Sequence, residues 1–250
     1  MSLVLTAVVL IALAVALALG SLWTFRRVAS IEHFKYEEPV VSFLFNAVGL
    51  IYAVVLAFVV FAVWEHYTNA EALVTNEAAA MVVVYRDVEL LPEPQRTAAK
   101  RNFRAYTRYV MDNEWDTHGT VIKHEKPDVL NPIWANIRQG SGSSSVRDRL
   151  HALEDARHRR HLAGESSLPN VFWPLLLGGG MLTIGFSFFF LTKSIRAQYV
   201  MTALLTTLIA GVLFLIFTLN SPFTGPEPVS KDPFEHAIEM FNSIDLGRST

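Results

Sequence analysis

The chain contains no cysteine among its 250 residues. Disulfide bonds, zinc sites built on thiolates and thiol nucleophiles are therefore excluded. Charged residues are also scarce, at 18% of the chain compared with roughly 25% in soluble domains. The net charge of −2 provides no dominant basic field, so we expect no nucleic acid partner.

Catalytic sequence motifs are missing as well. The sequence has no P-loop, no G-x-S-x-G and no glycine-rich dinucleotide-binding motif, and its GGG run lies inside an apolar segment. The one histidine–acid cluster worth testing for metal is His118, His124 and Glu125, which lacks the helical spacing of an H-E-x-x-H site. We therefore expect no metal, no cofactor and no enzymatic activity.

Long hydrophobic runs are what the sequence does contain. Hydrophobic residues make up 52% of the chain, and the mean hydropathy is +0.32. A segment needs about 20 apolar residues to cross a hydrocarbon core ~30 Å thick. The segments that meet this test are Leu3–Trp23, Val41–Trp64, Val171–Leu191 and Tyr199–Leu219. Positive charge follows the first segment and does not precede it, so we interpret that segment as an uncleaved anchor rather than a signal peptide.

The orientation is predicted from lysine and arginine residues close to these spans. Arg26, Arg27 and Lys35 follow the first span, while Lys193 and Arg196 lie between the last two spans. Because positive charge accumulates in cytoplasmic loops, we expect both termini and the long insert to lie outside the cytoplasm. The sequence thus predicts a multi-pass protein of the cell (inner) membrane with an extracytoplasmic insert.

These spans divide the chain into four parts. Residues 1–64 hold the first two transmembrane helices, residues 65–169 an extramembrane helical domain, residues 170–219 the last two transmembrane helices, and residues 220–250 a tail with a short amphipathic helix. The predicted fold class is an all-α polytopic membrane protein with four transmembrane helices. Within the insert, the ARHRRH run at 156–161 is interpreted as a solvated basic face near the membrane.

One helix is predicted to continue from the second span into the insert. No glycine or proline occurs from Leu50 to Leu91, which gives about 63 Å of continuous helix at 1.5 Å per residue. Beyond Glu65 a heptad appears, and such a pattern indicates a seam packed against another helix. Its positions are Tyr67, Ala70, Val74, Glu77, Met81, Val84, Val88 and Leu91.

Glu77 is the charged exception in this seam. A carboxylate in a packed seam is costly unless it finds a partner, and the nearest arginines in sequence lie on the next helix. We therefore predict a buried ion pair of Glu77 with Arg101 or Arg104 that fixes a helical hairpin. The alternative is a carboxylate that senses protons or ions.

A second face of the same helix is polar. Glu65, Asn69 and Asn76 lie within about 40° of one another at about 100° per residue. This stripe suits either interfacial helix packing or the lining of a pore or vestibule. If several copies surround an axis, rings of Glu65 favour cations.

Several stretches resemble the bacterial bestrophin-like domain family, a family of unknown function. The resemblance covers NAVGLIYAVVLAFVVFAVWEHYTNAEALVTNEAAAMVVVYRDVELLP at 46–92, YVMDNEW at 109–115 and SPFTG at 221–225. The matching positions include Gly49, Tyr52, Trp64, Glu65, Ala70, Glu77, Tyr85, Pro92, Glu114, Trp115, Pro222, Phe223 and Gly225.

The resemblance implies a relation to bestrophins, which are pentameric anion channels with four spans and a large domain between the second and third. The chain shares that order of elements. It departs from bestrophins in the charge pattern, which places the insert outside the cytoplasm. It also lacks a recognisable acidic calcium-binding cluster.

Two functional hypotheses follow. The leading one is an oligomeric ion channel in the lipid bilayer that conducts inorganic ions, with the second transmembrane helix lining the pore. A homo-oligomer is expected because the long helix has two different packing faces, and one subunit can hardly cover both. The alternative is a membrane sensor or scaffold whose extramembrane helices bind a ligand or a partner protein.

Overall fold

A computed structural model of the protein describes residues 3–28, 38–115, 130–139, 144–189 and 194–247. All regular secondary structure in these ranges is helical, so the prediction of an all-α chain is confirmed. The helices are α1 (Leu3–Val28), α2 (Glu38–Asp87), α3 (Gln95–Asn113), α4 (Asn131–Gln139), α5 (Ser144–Glu165), α6 (Phe172–Ser187), α7 (Ile195–Leu219) and α8 (Asp232–Asp245).

Three of these helices are long and apolar enough to cross a membrane. They are α1, α7 and the first part of α2. The remaining predicted span, Val171–Leu191, corresponds to α6, which has 16 residues and is about 24 Å long at 1.5 Å per residue, less than the ~30 Å of a hydrocarbon core. The helices therefore indicate a membrane-embedded protein, while a membrane crossing by α6 stays a prediction.

The chain forms two compact units. Residues 1–64 and 168–220 make up one, which we call the apolar unit, and residues 65–167 and 221–250 make up the other, the helical unit. The tail thus belongs to the same unit as the insert. The helix α2 has 50 residues and contributes to both units.

In the apolar unit, α1 packs along α7. Ala18 and Leu22 of α1 are buried, and so are Gln198 and Thr202 of α7. At the end of α1, the Arg26 guanidinium donates a hydrogen bond to the Gln198 side-chain oxygen. The last turn of α1 and the first turn of α7 therefore lie together, which makes the two helices antiparallel.

Two glycines of the GGG run accommodate an aromatic ring of α2. The Tyr52 hydroxyl donates a hydrogen bond of 2.8 Å to the Leu176 carbonyl. A Cβ atom at Gly179 would lie 2.5 Å from a Tyr52 ring carbon, and one at Gly180 would lie 3.0 Å from the Tyr52 hydroxyl. A Cβ atom at Gly178 would meet nothing within 4 Å. Gly179 and Gly180 thus permit a close helix–helix contact, whereas Gly178 does not take part in it.

In the helical unit, the predicted heptad of α2 forms the core. Every seam position from Ala70 to Leu91 is buried, and Tyr67 is partly buried against the same core. Opposite the seam lie apolar residues of α3, α5 and α8, which include Phe103, Val110, Val146, Leu150, Leu153 and Phe234. The prediction of a packed seam is confirmed. Full burial of each large apolar side chain contributes about 1.5–3 kcal/mol.

The tail helix α8 packs on α2 and α3 within this unit. The Phe241 ring stacks on the Tyr85 ring with centroids 4.0 Å apart. The Asp245 carboxylate accepts hydrogen bonds from Tyr85 at 2.9 Å, from Lys100 at 2.8 Å and from Arg104 at 2.8 Å. Stacking and charged contacts together fix the tail on the helical unit.

Candidate functional site

Glu77 lies where the α2 seam meets α3 and α5. Its side chain has no solvent exposure, and the Tyr106 hydroxyl of α3 donates a hydrogen bond of 2.7 Å to it. From α5, the Arg160 Nε donates to the other carboxylate oxygen at 2.5 Å. Two helices therefore supply the partners that a buried carboxylate requires.

These contacts close into a ring of five side chains. Arg160 also donates to Glu114 at 2.5 Å, and Arg157 donates to the second Glu114 oxygen at 2.5 Å. Arg157 also donates a hydrogen bond of 2.9 Å to the Tyr106 hydroxyl, which itself donates a hydrogen bond to Glu77 and so closes the ring. We call this set the buried charge ring. Its two carboxylates and two guanidinium groups balance in charge, which lowers the cost of burying them.

The ring perturbs the titration of its members. Burial raises the pKa of Tyr106 well above its ordinary value, and the neighbouring Glu77 charge raises it further. Burial opposes ionisation of Glu114, but Arg160 and Arg157 outweigh it and hold the pKa of that carboxyl below its ordinary value. The Arg160 pKa is raised by Glu77 and Glu114 in spite of burial. Glu114, Arg157 and Arg160 are therefore held in their ionised forms at neutral pH.

The predicted partners of Glu77 were wrong. Neither Arg101 nor Arg104 reaches it: Arg101 is exposed, and Arg104 contacts Asp245 and Tyr85 instead. The helical register explains the difference. The face of α3 that packs on the α2 seam is apolar except at Tyr106 and Thr107, so the arginines of α3 point elsewhere.

The interpretation of the ARHRRH run was also wrong in part. Arg159 is exposed, as a solvated face requires, but Arg160 is only 3% exposed and Arg157 is largely buried. Spacing in the sequence gives the reason, because these two arginines continue the alternating three- and four-residue spacing of the buried positions Val146, Leu150 and Leu153. That heptad identifies them as seam residues.

The three polar residues of the other α2 face are solvent-exposed. Glu65, Asn69 and Asn76 are all exposed in the helical unit, although Glu77 follows Asn76 directly and is buried. The helix therefore separates its polar residues into two classes. Glu77 is hydrogen-bonded inside the core, and the stripe of Glu65, Asn69 and Asn76 is exposed to solvent.

Two of the stretches that resemble a known family, YVMDNEW at 109–115 and SPFTG at 221–225, lie side by side in the helical unit. Trp115, next to Glu114, donates a hydrogen bond of 2.6 Å from its indole N–H to the Val229 carbonyl. Its ring packs edge-on against Phe223 of the SPFTG stretch, with centroids 5.8 Å apart. The Arg160 guanidinium lies 5.2 Å from the Trp115 ring centroid. Trp115, one of the matching positions, thus lies beside the buried charge ring.

No group of three or more histidine and acidic residues placed to hold a metal ion is found in the described part of the chain. His118, His124 and Glu125 lie outside that part. The expectations of no metal and no cofactor stay predictions.

Comparison with models of protein families matches the chain to the Bestrophin-like domain over residues 12–234. That range includes α1 from residue 12 onward, the other apolar helices, the insert and the start of α8. Neither the curated proteins nor the solved structures that were searched contain a match to the chain.

Proposed function

The chain belongs to the Bestrophin-like family, and on that premise we propose that it is an oligomeric ion channel whose second transmembrane helix, in α2, lines the pore. The exposed stripe of Glu65, Asn69 and Asn76 forms the mouth of the conduction path. No catalytic step is part of this function.

The observation that best supports this proposal is the division of polar residues on α2. On its packed face, α2 buries Glu77 against hydrogen-bonding partners. Glu65, Asn69 and Asn76 are instead exposed together on one face, just beyond the apolar part of the same helix. Copies arranged around an axis would turn this face into rings of carboxylate and amide groups, and rings of carboxylates favour cations.

We propose four spans for each subunit. The three long apolar helices are joined by α6, which is short enough to require local thinning of the bilayer or snorkelling of flanking residues. The contact of Arg26 with Gln198 supports a common end for α1 and α7, and Arg27 and Arg196 lie in the adjacent turns. Positive charge at this end favours the cytoplasmic side of the inner membrane, with the insert outside.

We test conduction by planar-bilayer recording of the purified protein across a range of pH and of salts. Single-channel currents are expected in symmetric potassium or sodium chloride. A protein that keeps its helical circular dichroism and elutes as one species, yet conducts no ion under any condition, would refute the channel.

A second function, a sensor or scaffold, is favoured by the extent of the helical unit. Its core runs through α2, α3, α5 and α8, and the tail is fixed by charged contacts, so it can present a stable binding surface. This function predicts that a partner protein co-purifies with the full chain and that no conductance is observed. The bilayer recording separates the two functions.

A further inference from the structure

The last turn of α1 holds a cation whose charge is not neutralised by the residue that it contacts. The Arg26 guanidinium donates a hydrogen bond to the side-chain oxygen of Gln198, which is a neutral amide. The Arg26 Nε is buried and has no hydrogen-bond partner among the described residues. A charged group that is partly withdrawn from water is costly unless an opposite charge compensates it, so this guanidinium favours an anionic ligand.

The neighbouring helices hold this guanidinium in one position. Gln198 is 2% exposed, and its side-chain nitrogen donates a hydrogen bond of 3.2 Å to the Phe188 carbonyl at the end of α6. The Phe25 ring packs against the rings of Phe188 and Phe189, with centroids 6.0 and 5.1 Å apart. The ends of α1 and α6 and the start of α7 thus meet around Arg26. A side chain that is already held in place loses little conformational entropy when it binds a ligand.

The flank of α1 beside Arg26 is amphipathic. The Arg27 guanidinium lies 3.8 Å from the centroid of the Trp23 ring, and Trp23 is 48% exposed. At about 100° per residue, Trp23, Arg26 and Arg27 lie within an arc of about 100°. In the apolar span of α1, only 6% of the residues are buried. Tryptophan and arginine at the end of an apolar span are typical of the membrane–water interface, where lipid headgroups lie.

We propose that Arg26 binds the phosphate group of an anionic phospholipid, with Trp23 and Arg27 beside the same headgroup. A planar guanidinium matches a phosphate group in charge and in hydrogen-bond geometry. The lipid is favoured over free phosphate because its acyl chains cover the exposed apolar span of α1 while its headgroup meets the arginines. Positive charge favours the cytoplasmic side for this end of α1, and the cytoplasmic leaflet carries the anionic lipids.

Native mass spectrometry of the full chain in detergent tests this site. The protein is given equal amounts of phosphatidylglycerol and phosphatidylcholine with the same acyl chains, and the ratio of the two retained lipids is measured. Wild type is expected to retain phosphatidylglycerol preferentially. Arg26→Gln should lower the ratio about fivefold or more, as the loss of one basic contact with an anionic headgroup predicts. No preference in wild type would overturn the inference.

Arg196→Gln is the matched control, because it removes the same charge near the start of α7. Arg196 is exposed and lies two residues before Gln198, so the two side chains are about 160° apart around the helix. Since Gln198 contacts Arg26, the Arg196 side chain points away from the proposed site. The retained ratio should keep its wild-type value in Arg196→Gln. An equal loss in both variants would overturn a site at Arg26, since total charge would then explain the retention.

Free phosphate shares the chemistry of the headgroup and is distinguished by competition. Inorganic phosphate is titrated into the wild-type protein with bound phosphatidylglycerol, up to the concentration of the lipid. The lipid is expected to stay bound, because inorganic phosphate makes no contact with the apolar span. Displacement of phosphatidylglycerol at equal concentration would overturn the lipid as the ligand.

Thermal unfolding of wild type provides a test that does not depend on the folding of Arg26→Gln. The Tm is expected to be higher in nanodiscs of phosphatidylglycerol than in nanodiscs of phosphatidylcholine with the same acyl chains, because a ligand that binds the folded state stabilises it. Equal Tm values in the two lipids would overturn the inference. Neither readout requires conductance, so a protein that binds phosphatidylglycerol but conducts no ion refutes only the channel.

Discussion

Replacing Arg160 with methionine tests how strongly the buried charge ring stabilises the helical unit. The change keeps most of the side-chain length and removes the guanidinium that joins Glu77 to Glu114. Two buried carboxylates are then left with Arg157 as their remaining cation in the ring. Removal of one partner from a buried pair costs about 3–5 kcal/mol, because the other charge stays buried and uncompensated.

The assay is thermal unfolding of the full chain in detergent at a fixed scan rate, followed by tryptophan fluorescence. One kcal/mol shifts the Tm by about 2–4 °C in a chain of this size, so Arg160→Met should lower it by roughly 6–20 °C. The matched control is Arg159→Met on the same helix. Arg159 and Asp155 form an exposed pair at 2.7 Å, and such pairs contribute at most about 1 kcal/mol.

A double variant separates the charge effect from loss of packing. Glu77→Leu with Arg160→Met removes the carboxylate together with its cation, so we expect it to be more stable than Arg160→Met alone. The reasoning would be refuted if Arg160→Met and Arg159→Met had the same Tm. It would also be refuted if the double variant were as unstable as the sum of its single changes.

Three further predictions concern the contact of Tyr52 with Gly179, the loss of stability at acid pH and the tail helix α8. Gly179→Ala places a Cβ atom 2.5 Å from a Tyr52 ring carbon and should lower the free energy of unfolding by about 1–3 kcal/mol, measured by thermal unfolding. Equal Tm shifts in Gly179→Ala and in Gly178→Ala would contradict the contact. The folded-state pKa of Glu114 lies below its ordinary 4.5, so its contribution to the free energy of unfolding is complete above pH 4.5 and is lost as pH falls through the folded value. Glu114→Gln should therefore make Tm fall less steeply with decreasing pH below 4.5 than it does in wild type. An unchanged slope would contradict this contribution. Asp245→Asn weakens the charged contacts of α8 with Lys100 and Arg104 and should lower the free energy of unfolding by about 1 kcal/mol. Proteolysis of the tail should be faster in this variant. An unchanged cleavage rate would count against those contacts.

The long helix and its seam could be predicted from the sequence because both depend on local pattern. A run without glycine or proline gives a continuous helix, and heptad spacing gives its buried face. The structure has α2 as an unbroken helix to Asp87, and the chain turns at Pro92 after a 3-10 turn at Val88–Leu90. The need of Glu77 for a buried cation followed from the same pattern.

The identity of that cation could not be predicted from sequence proximity. Arg160 lies 83 residues after Glu77, and which helix covers a seam depends on the tertiary packing of all the helices. The heptad in α5 marked Arg160 as a seam residue, but its basic neighbours Arg159 and His161 gave the run the composition of a solvated face. Periodicity was the better guide to burial than local charge.

The most direct test of the proposed channel is the reversal potential under a salt gradient, compared between wild type and Glu65→Gln. Glu71→Gln is the matched control, since Glu71 is also exposed on α2 and lies about 120° away around the helix. We predict a cation-selective reversal potential in wild type and in Glu71→Gln, and a shift toward zero in Glu65→Gln. Equal reversal potentials in all three proteins would contradict a pore mouth formed by Glu65.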